Sequence, residues 1–505
     1  ARTRDQGKEN LMTTIFKNYV NGNWVGASSG KTFKNINPAN TDDIVGIFPD
    51  SNKEDVDTAV RAAVSAYDKW RLTPAPKRGE IMSRAGELLV EHKDEIAKLM
   101  TREMGKVLKE TKGDTQEGID TAIYTAGEGR RLFGETTPSE LPDKFCMSVR
   151  VPIGVCGIIT PWNFPIAIPT WKIFPALLCG NTVVFKPAHD TPASAVKFVE
   201  ILEQAGVPKG VVNLVHGSGK HVGHSIVEHP DINLISFTGS SGVGKEIASL
   251  GGADLKRVSL ELGGKNAQIV MDDADLDLAI EGALWGAFGT TGQRCTATSR
   301  LILHKKITEK FMDKFVNRAK SIKIGDGLDP ETEMGPLINA SQRKRVHEYI
   351  DIGIKEGAEL ILGGSFYEDG DCKKGFFYSP TIFTNVKPDM RIAREEIFGP
   401  VLSIIEVESF EESIKVLNNT RYGLSSSIYT NDVNRAFKAI RDIEAGITYI
   451  NGPTIGAEVH LPFGGMKDTG NGHREAGKTV LDIFSEWKAV YIDYSGKLQK
   501  AQIDT

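Results

Sequence analysis

A chain of 505 residues, 40% hydrophobic and 25% charged, is too long for one hydrophobic core, so we expect two or three domains. The formal net charge of -5 argues against a dedicated nucleic-acid binder, and we predict no nucleic-acid partner. Five scattered cysteines, odd in number and without a CxxC pair, argue against a disulfide framework or a zinc site. We therefore predict no metal site and a reducing, cytoplasmic location.

The N-terminal segment lacks the apolar run of a signal peptide. Met12 could be the natural start, which would make residues 1–11 a disordered leader or a non-native remnant. The first helical pattern opens at Ser51, whose spacing to Glu54 is that of a capping box. Helical segments continue to about Phe133.

The most apolar stretch covers residues 151–185 and carries one charge, Lys172. A membrane span is the alternative interpretation. Five prolines make one long helix improbable, so we predict buried strand, loop and short helix, and no membrane partner.

Short β-rich runs, GVCGIIT (154–160) and GNTVVFKPA (180–188), alternate with helical patterns from residue 150 onward. The clearest helix has Asp190 or Thr191 as its cap, Pro192 in the first turn and Gly206 at its end. A second α/β series begins near residue 265. This alternation predicts an α/β fold with parallel sheets.

The tail FSEWKAVYIDY (484–494) alternates polar and apolar residues like an exposed strand. It is far along the chain from either α/β series, so we expect an edge strand that pairs with another subunit.

The segment FTGSSGVGKEI (237–247) follows a strand and opens a helix. Gly239, Gly242 and Gly244 let the backbone approach a ligand, and a helix N-terminus favours an anion. The spacing is GxxGxG, however, and a simple Gly-rich turn is an equal alternative. In FKPAHDTP, Lys186 at a strand end could reach a ribose or phosphate, or could be merely solvated.

Three further residues suit covalent catalysis. Asn163 in PWNFP is fixed between prolines and could hold an oxyanion, or could be a satisfied turn residue. Glu261 in LELGGKN is a candidate base or a salt-bridged structural residue. Cys295 in GTTGQRCTAT is a candidate nucleophile if its pKa is lowered, which the adjacent Arg294 would permit; an inert buried cysteine is the alternative.

Taken in order, PWNFP, FKPA, FTGS, LELGGK, GQRC, EEIFGP and PFGG resemble the motifs of the aldehyde dehydrogenase superfamily, over nearly the whole chain. The resemblance implies an α/β fold with a Rossmann-like cofactor domain, an α/β catalytic domain and a small β oligomerisation element. The implied ranges are 12–132 and 153–263 for the cofactor domain, 264–478 for the catalytic domain, and 133–152 with 479–505 for the element that builds a homodimer or homotetramer.

The resemblance also implies roles for single residues. Cys295 would attack the aldehyde carbon, and Asn163 with the Cys295 N–H would hold the oxyanion. Glu261 would activate the water that releases a carboxylic acid. Lys172 would lie near the cofactor and the catalytic asparagine.

The implied cofactor is NAD or NADP. Lys186 would bind the adenosine ribose, Ser240 the pyrophosphate and Glu396 the nicotinamide ribose. The other residues expected around the cofactor are Ile159, Thr160, Pro161, Trp162, Ala188, His189, Gly219, Phe237, Thr238, Gly239, Val243, Leu262 and Phe398.

One position departs from strongly NAD-preferring members, which often carry glutamate three residues after the ribose-binding lysine. This chain has His189, which removes the repulsion of a 2′-phosphate and, when charged, could attract it. Gly242 also lacks a side chain that could crowd that pocket. We therefore predict that NADP is accepted, alongside NAD.

Rival interpretations are a CoA-acylating relative, a catalytically silent protein of the same fold, and a cysteine hydrolase without cofactor. Glu261 favours hydrolysis over acylation of CoA. In the substrate pocket, Arg294, Glu458 and His460 beside Phe463 hint at a carboxylated semialdehyde of the α-ketoglutaric or aminoadipic kind. A broad-range enzyme for aliphatic or aromatic aldehydes is the equal alternative.

Overall fold

The computed structural model describes residues 14–503, and the expectation for residues 1–11 lies outside them. The strands are β1 (Asn18–Val20), β2 (Asn23–Val25), β3 (Thr32–Asn37), β4 (Asn40–Pro49), β5 (Glu135–Pro138), β6 (Lys144–Pro152), β7 (Val155–Ile159), β8 (Thr182–Lys186), β9 (Val212–Leu214), β10 (Leu234–Thr238), β11 (Arg257–Glu261), β12 (Ala267–Val270), β13 (Arg300–His304), β14 (Glu359–Leu362), β15 (Thr381–Thr384), β16 (Val401–Val407), β17 (Tyr422–Gly423), β18 (Ser425–Tyr429), β19 (Ile447–Ile450), β20 (Met466–Lys467) and β21 (Ser485–Asp493).

The α-helices are α1 (Lys53–Arg71), α2 (Ala75–Glu91), α3 (Lys93–Met104), α4 (Leu108–Glu128), α5 (Ala167–Leu178), α6 (Pro192–Gln204), α7 (His224–Glu228), α8 (Ser241–Ala253), α9 (Leu276–Phe288), α10 (Thr308–Lys320), α11 (Ala340–Lys355), α12 (Arg391–Arg394), α13 (Phe410–Asn418), α14 (Val433–Asp442) and α15 (Val480–Ile483). None of the helices in the described part of the chain is long and apolar enough to cross a membrane.

The first large sheet has the order β11-β10-β7-β8-β9-β1-β2. Its strands β7 to β11 are parallel, and β1 and β2 add an antiparallel edge. Side chains of a strand alternate between faces. Accordingly, Val155 and Ile159 of β7 pack in a cluster with α1, while Cys156 and Ile158 pack in another with α5 and α6. The predicted parallel sheet with helices on both faces is confirmed.

The second large sheet has the order β14-β15-β16-β13-β12-β18-β19, parallel except for β14 at its edge. Each of its two faces carries its own hydrophobic cluster. Ile269 of β12 packs in one cluster, and the next residue, Val270, packs in the other. This is the second α/β series that the sequence predicts from about residue 265.

A third sheet has three antiparallel strands in the order β21-β6-β5. The tail strand β21 pairs along its whole length with β6, from Ser485 opposite Pro152 to Asp493 opposite Lys144. The predicted tail strand therefore exists, and it finds its first partner within the chain. Its other edge has no backbone partner among residues 14–503.

Two helix starts test the local sequence signals. The cap of α1 is Asn52, which forms a capping box with Asp55, and the prediction of Ser51 as the cap is wrong. The hydroxyl of Ser51 is used elsewhere, because it accepts a hydrogen bond from Asn18 at 2.9 Å. Helix α6 has Thr191 at the cap position and Pro192 in the first turn, as predicted, but the Thr191 side chain makes no capping hydrogen bond; the Glu103 carboxylate accepts the N–H groups of Ala193 and Ser194 instead.

Candidate active site

A cavity of about 1160 Å³ opens where the carboxyl ends of β10 and β11 face the loop that precedes β13. Thr238 and Glu261 line it from the first sheet, and Cys295 lines it from that loop. Helices α4, α5 and α9 supply further walls, and loop residues between 322 and 333 and between 456 and 475 add to the lining. The cavity therefore brings together the candidate nucleophile and the candidate base, which are far from each other along the chain.

The loop that carries Cys295 is held in an unusual backbone conformation. Thr290 and Thr291 have φ angles of 52° and 58°, in the left-handed region that residues other than glycine seldom adopt. The side-chain amide of Asn266 donates to the carbonyl of Cys295 at 2.7 Å. A Cβ on Gly264 would lie 2.7 Å from that same carbonyl oxygen, so close approach requires glycine there.

Cys295 is partly exposed as a residue, whereas the other four cysteines are buried, as expected for small hydrophobic residues. Burial and the carboxylates of Glu396 and Glu261 raise the pKa of the Cys295 thiol to about 12. The expected help from Arg294 is absent, since its guanidinium donates to Glu110 at 2.9 Å and to Thr290 Oγ1 at 2.8 Å. Attack by sulfur therefore needs a group that takes the thiol proton.

Glu261 is the last residue of β11 and is buried. Both its carboxylate oxygens lack a hydrogen-bond partner among the described residues. Burial, with the Glu475 carboxylate next in importance, raises the pKa of Glu261 well above its ordinary value, and the Lys172 ammonium opposes this rise. A buried carboxylate of this kind is suited to accept a proton.

Lys172 is fully buried and forms an ion pair with Glu475, and its ammonium also donates to Ser236 Oγ at 2.9 Å. The sequence analysis missed Glu475, although it lies in the Gly-rich segment with acidic members at 461–477. Lys172 thus neutralises one of two neighbouring buried carboxylates, and Glu261 remains without a direct partner.

Asn163 is buried, and its side-chain amide donates to the carbonyl of Gln293 at 3.1 Å. An amide nitrogen carries two hydrogens, so one N–H remains for a ligand. Gln293 lies two residues before Cys295, and this bond ties the amide of Asn163 to the loop of the nucleophile.

The first sheet presents the expected cofactor residues at or just beyond the carboxyl ends of its parallel strands. Lys186 ends β8, and its buried ammonium donates to the Pro187 carbonyl at 2.9 Å; burial lowers its pKa to about 8. His189 stacks on Phe33 with ring centroids 3.8 Å apart, and burial lowers its pKa. Around these strand ends also lie Ile159, Thr160, Pro161, Ala188, Gly219, Phe237, Thr238, Gly239, Ser240, Val243 and Leu262.

The three glycines of FTGSSGVG differ in what requires them. A Cβ on Gly239 would lie 2.4 Å from the Phe237 ring, and one on Gly244 would lie 2.4 Å from the Leu262 side chain. These two glycines serve packing within the chain. Gly242 faces open space, so only this position leaves room beside the start of α8.

The EEIFGP segment lies against LELGGK. Glu396 accepts a hydrogen bond from the backbone N–H of Gly264 at 3.0 Å, and a Cβ on Gly263 would strike its carboxylate. Phe398 packs edge-on against Trp162 with ring centroids 5.4 Å apart. Three segments far apart in sequence thus meet here: LELGGK contacts the Glu396 carboxylate, and the Trp162 ring of PWNFP contacts the Phe398 ring.

Of the four predicted pocket residues, the structure brings Arg294 and Phe463 to the cavity. Phe463 packs edge-on against Trp171 with ring centroids 4.8 Å apart. Glu458 and His460 do not line the cavity; both are exposed, and they pair with each other at 3.3 Å. Although Glu458 and His460 are near PFGG in the sequence, they lie outside the cavity in the structure.

Helix α4 contributes three carboxylates that the sequence analysis missed: Glu110, Asp114 and Glu117 all line the cavity. Their spacing of four and three residues places them on one helical face. Asp114 pairs with the fully buried Lys106 at 2.6 Å. Burial and the Asp114 carboxylate raise the pKa of Glu117 to about 8, so Glu117 is mostly protonated at neutral pH.

Comparison with known proteins agrees with this site. The profile described as "Aldehyde dehydrogenase family" matches residues 24–490. The chain is 45% identical to alpha-ketoglutaric semialdehyde dehydrogenase of Bacillus subtilis, over 94% of this chain and 98% of that protein. It is 44% identical to alpha-ketoglutarate semialdehyde dehydrogenase of Haloferax volcanii, over 96% of this chain and all of that protein.

Among solved structures, betaine aldehyde dehydrogenase from Staphylococcus aureus in complex with NAD+ has a TM-score of 0.93 and 35% identity, covering 95% of this chain and 95% of that one. The chain belongs to the aldehyde dehydrogenase family, and it is an aldehyde dehydrogenase that oxidises an aldehyde to the acid. The fold expected from the sequence motifs is confirmed.

Proposed function

We propose that this enzyme works through a covalent intermediate on Cys295, with NAD or NADP as the oxidant and water as the final acyl acceptor. The observation that carries the proposal is that Cys295 and the unpartnered carboxylate of Glu261 line one cavity, while Asn163 is hydrogen-bonded to the loop of Cys295. These are the nucleophile, base and oxyanion donor that acyl transfer requires.

In the first half-reaction the Cys295 sulfur bonds to the aldehyde carbon and loses its proton, for which ionised Glu261 is the acceptor in the same cavity. The former carbonyl oxygen becomes an oxyanion, held by the free amide N–H of Asn163 and the backbone N–H of Cys295. The cofactor, when bound, supplies the hydride acceptor. After oxidation, the acyl group remains on sulfur as a thioester.

Glu261 first passes the thiol proton to solvent; in the second half-reaction the ionised carboxylate takes a proton from water, whose oxygen attacks the thioester carbon. The carbon–sulfur bond breaks, the carboxylic acid leaves, and the Cys295 thiol is restored. Glu261 acts only when ionised. Because its pKa is raised, the active fraction increases as pH rises through that pKa. This hydrolytic role favours the acid as product over a CoA ester.

The residues around the strand ends fit a dinucleotide. The hydroxyls of Thr238, at the end of β10, and Ser241, at the start of α8, are buried without hydrogen-bond partners among the described residues. A helix N-terminus and free hydroxyls suit a diphosphate. Lys186 would hold the adenosine ribose, and Glu396 with Phe398 would hold the nicotinamide end. The NAD+ complex of the Staphylococcus aureus relative supports the same cofactor here.

We expect NADP to be accepted because the position three residues after Lys186 carries no glutamate. Position 189 itself carries no carboxylate that would repel a 2′-phosphate, and the neighbouring Asp190 carboxylate accepts a hydrogen bond from Asn339. The lowered pKa keeps His189 mostly neutral at pH 7, so the imidazole neither repels nor attracts the 2′-phosphate by charge.

For the substrate we propose a short semialdehyde that carries a carboxyl group, as the names of the Bacillus subtilis and Haloferax volcanii relatives suggest. Protonated Glu117 on the cavity wall can donate a hydrogen bond to a carboxylate or keto oxygen. Lys109 adds positive charge to the wall, whereas Lys112 and Arg318 are paired with Asp94 and Glu333. Arg294 is engaged with Glu110, so it is not the main anchor.

We also retain the domain roles that the motifs imply: cofactor domain 12–132 and 153–263, catalytic domain 264–478, and oligomerisation element 133–152 with 479–505. The open edge of β21 and its exposed Trp487, Tyr491 and Ile492 suit a subunit contact in a homodimer or homotetramer. Five free cysteines suit a cytoplasmic location.

The test mixes purified protein with propanal, benzaldehyde or a short carboxylated semialdehyde and with NAD or NADP, and follows reduced cofactor by absorbance. Products are then analysed with and without CoA. The proposal expects acid formation independent of CoA, fastest with the semialdehyde. Comparable rates for all three aldehydes would overturn the substrate assignment, and a requirement for CoA would overturn the hydrolytic step.

A further inference from the structure

A short segment that leads into helix α11 and includes its first residues, 335–342, contacts three loops of the active site that are remote from one another in sequence. These are the loop of Cys295, the loop that follows Lys186, and the EEIFGP loop. None of its residues belongs to the chemistry proposed above. The inference below rests on that proposed function, because it concerns how its parts are held together.

On the nucleophile side, the segment grips the side chain of Gln293. The backbone N–H of Ile338 donates to Gln293 Oε1 at 2.9 Å, and Gln293 Nε2 donates to the Pro336 carbonyl at 3.3 Å. Thr291 adds a bond from its hydroxyl to the Gly335 carbonyl at 2.8 Å. Gln293 is buried, and its own carbonyl receives the amide of Asn163. The segment therefore fixes both the loop of Cys295 and the oxyanion donor.

On the cofactor side, the next residue of the segment reaches the first sheet. The side-chain nitrogen of Asn339 donates to Asp190 Oδ1 at 3.0 Å. Asp190 follows His189 directly, and its carbonyl accepts a hydrogen bond from Asn35 at 2.8 Å. Two consecutive residues of the segment therefore contact different loops: Ile338 bonds to the loop of Cys295, and Asn339 bonds to Asp190 in the loop after Lys186, which we call the ribose loop.

The oxygen of Asn339 has a separate task. It accepts the backbone N–H of Gln342 at 2.8 Å and so caps α11. Gln342 in turn donates through its side chain to the Phe398 carbonyl at 2.7 Å and the Ile397 carbonyl at 3.1 Å. The two ends of one amide therefore support opposite ends of the expected cofactor site.

We propose that Asn339 is a positioning residue that links the adenosine side of the cofactor site to the loop of Cys295. Occupation of the ribose loop orders Asp190, Asp190 orders the start of α11 through Asn339, and this start holds Gln293. A ligand bound at the adenosine end of the cofactor site then alters the reactivity of Cys295 without contacting Cys295.

The first test distinguishes the Asn339–Asp190 hydrogen bond from the role of Asn339 as the N-cap of α11. Asn339→Ser keeps a good N-cap but cannot reach Asp190 with a donor nitrogen. We expect it to raise the dissociation constant of ADP, measured by calorimetry, by about tenfold, as for a hydrogen bond to a charged group. In an Asp190→Ala background the same substitution should change it by less than about twofold, because its partner is already gone. Equal effects in both backgrounds would overturn the link.

The second test measures transmission. Cys295 is alkylated with iodoacetamide, and the rate is followed by peptide mass spectrometry with and without saturating ADP, which has no nicotinamide. We expect ADP to change the rate by about fivefold in the wild-type enzyme and by less than about twofold in Asn339→Ser, in line with ordinary coupling between sites. An unchanged wild-type rate with ADP bound would contradict transmission.

The matched control is Ser409→Ala, which removes the cap of α13, a helix outside the site. It should lower thermal stability but leave ADP binding and alkylation unchanged. These measurements also distinguish failure of the proposed cofactor site from failure of the proposed role of Asn339. A wild-type enzyme that binds neither ADP nor NAD would refute the cofactor site itself, whereas ADP binding that is equal in wild type and Asn339→Ser would refute only the role of Asn339.

Discussion

The two large sheets carry their candidate functional residues at opposite ends of their strands. In the first sheet Lys186 and Glu261 are the last residues of β8 and β11, at the carboxyl ends. In the second, Asn266, Cys295 and Phe398 all precede their strands, at the amino ends. A site at the carboxyl ends is the general arrangement in open α/β sheets. A site at the amino ends has no such rule, and here it depends on specific side-chain hydrogen bonds and glycines.

This difference has a consequence for substitutions. Residues of the first sheet on the adenosine side, Lys186 and His189, should affect binding of the cofactor, whereas Glu261, which lines the cavity with Cys295, should affect the chemical steps. Residues that hold the irregular loop of Cys295 before the second sheet should also affect the chemical steps. The predictions below test that division, beginning with the largest expected effect.

Replacing the nucleophile should cause the largest loss of aldehyde oxidation and should leave cofactor binding unchanged. Cys295→Ala should reduce aldehyde oxidation by more than about a thousandfold, since the covalent route is lost. The dissociation constant for NAD should stay within about twofold of the wild-type value. Steady-state absorbance and calorimetry measure the two quantities. Residual turnover near the wild-type rate would contradict the role of Cys295.

Glu261→Gln should lower steady-state turnover by about a hundredfold or more, since general base catalysis is removed. Because Glu261 also accepts the thiol proton of Cys295, rapid mixing should show a slow first turnover in the variant, and a burst of reduced cofactor at the wild-type rate would show that another group takes that proton. In the wild type, turnover should rise with pH as Glu261 ionises, and the variant should lose this rise. A variant with the wild-type pH profile would show that another group is the base.

The anchoring of the Cys295 loop can be tested without touching the nucleophile. Glu110 accepts the backbone N–H of Thr290 at 2.9 Å and pairs with the part-buried Arg294. Glu110→Gln should lower kcat by about tenfold and stability by about 2 kcal/mol, because Arg294 loses its partner. Glu80→Gln, which breaks an exposed pair with Lys77, is the control and should change neither. Equal effects of the two substitutions would refute the anchoring role.

The narrowest effect, confined to one kinetic constant, is expected on the first sheet, at the position beside the adenosine ribose. His189→Glu should raise KM for NADP by about tenfold, because a carboxylate would repel the 2′-phosphate, and should leave KM for NAD nearly unchanged. His189→Gln serves as the uncharged control. If both substitutions affect NADP equally, the charge argument for this position is wrong.

The same contrast explains how much the sequence could predict. Strands β7 and β8 and helix α6 follow from apolar runs and from local Pro and Gly signals, which act within a few residues. Cys295, Glu261 and Asn163 emerge because each lies in a motif of the family. Neighbouring side chains compete for a local role, however, and so Asn52 and not Ser51 caps α1.

Contacts between distant segments escaped prediction. Glu475 meets Lys172 across 303 positions, and Glu110 meets Arg294 across 184. No local pattern marks such partners. Conversely, Glu458 and His460 are near PFGG in sequence yet point away from the cavity, since they pair with each other at the surface. The amino-end half of the site is thus the part that sequence reasoning reconstructs least.

The most direct test of the central claim uses Glu261→Gln, in which release of the acyl group should be slow. The variant is mixed with aldehyde and NAD or NADP, quenched with acid, digested and analysed by mass spectrometry. The account predicts that the peptide containing Cys295 gains the mass of the acyl group in step with the first equivalent of reduced cofactor. Reduced cofactor without this adduct, or an adduct on another cysteine, would contradict it.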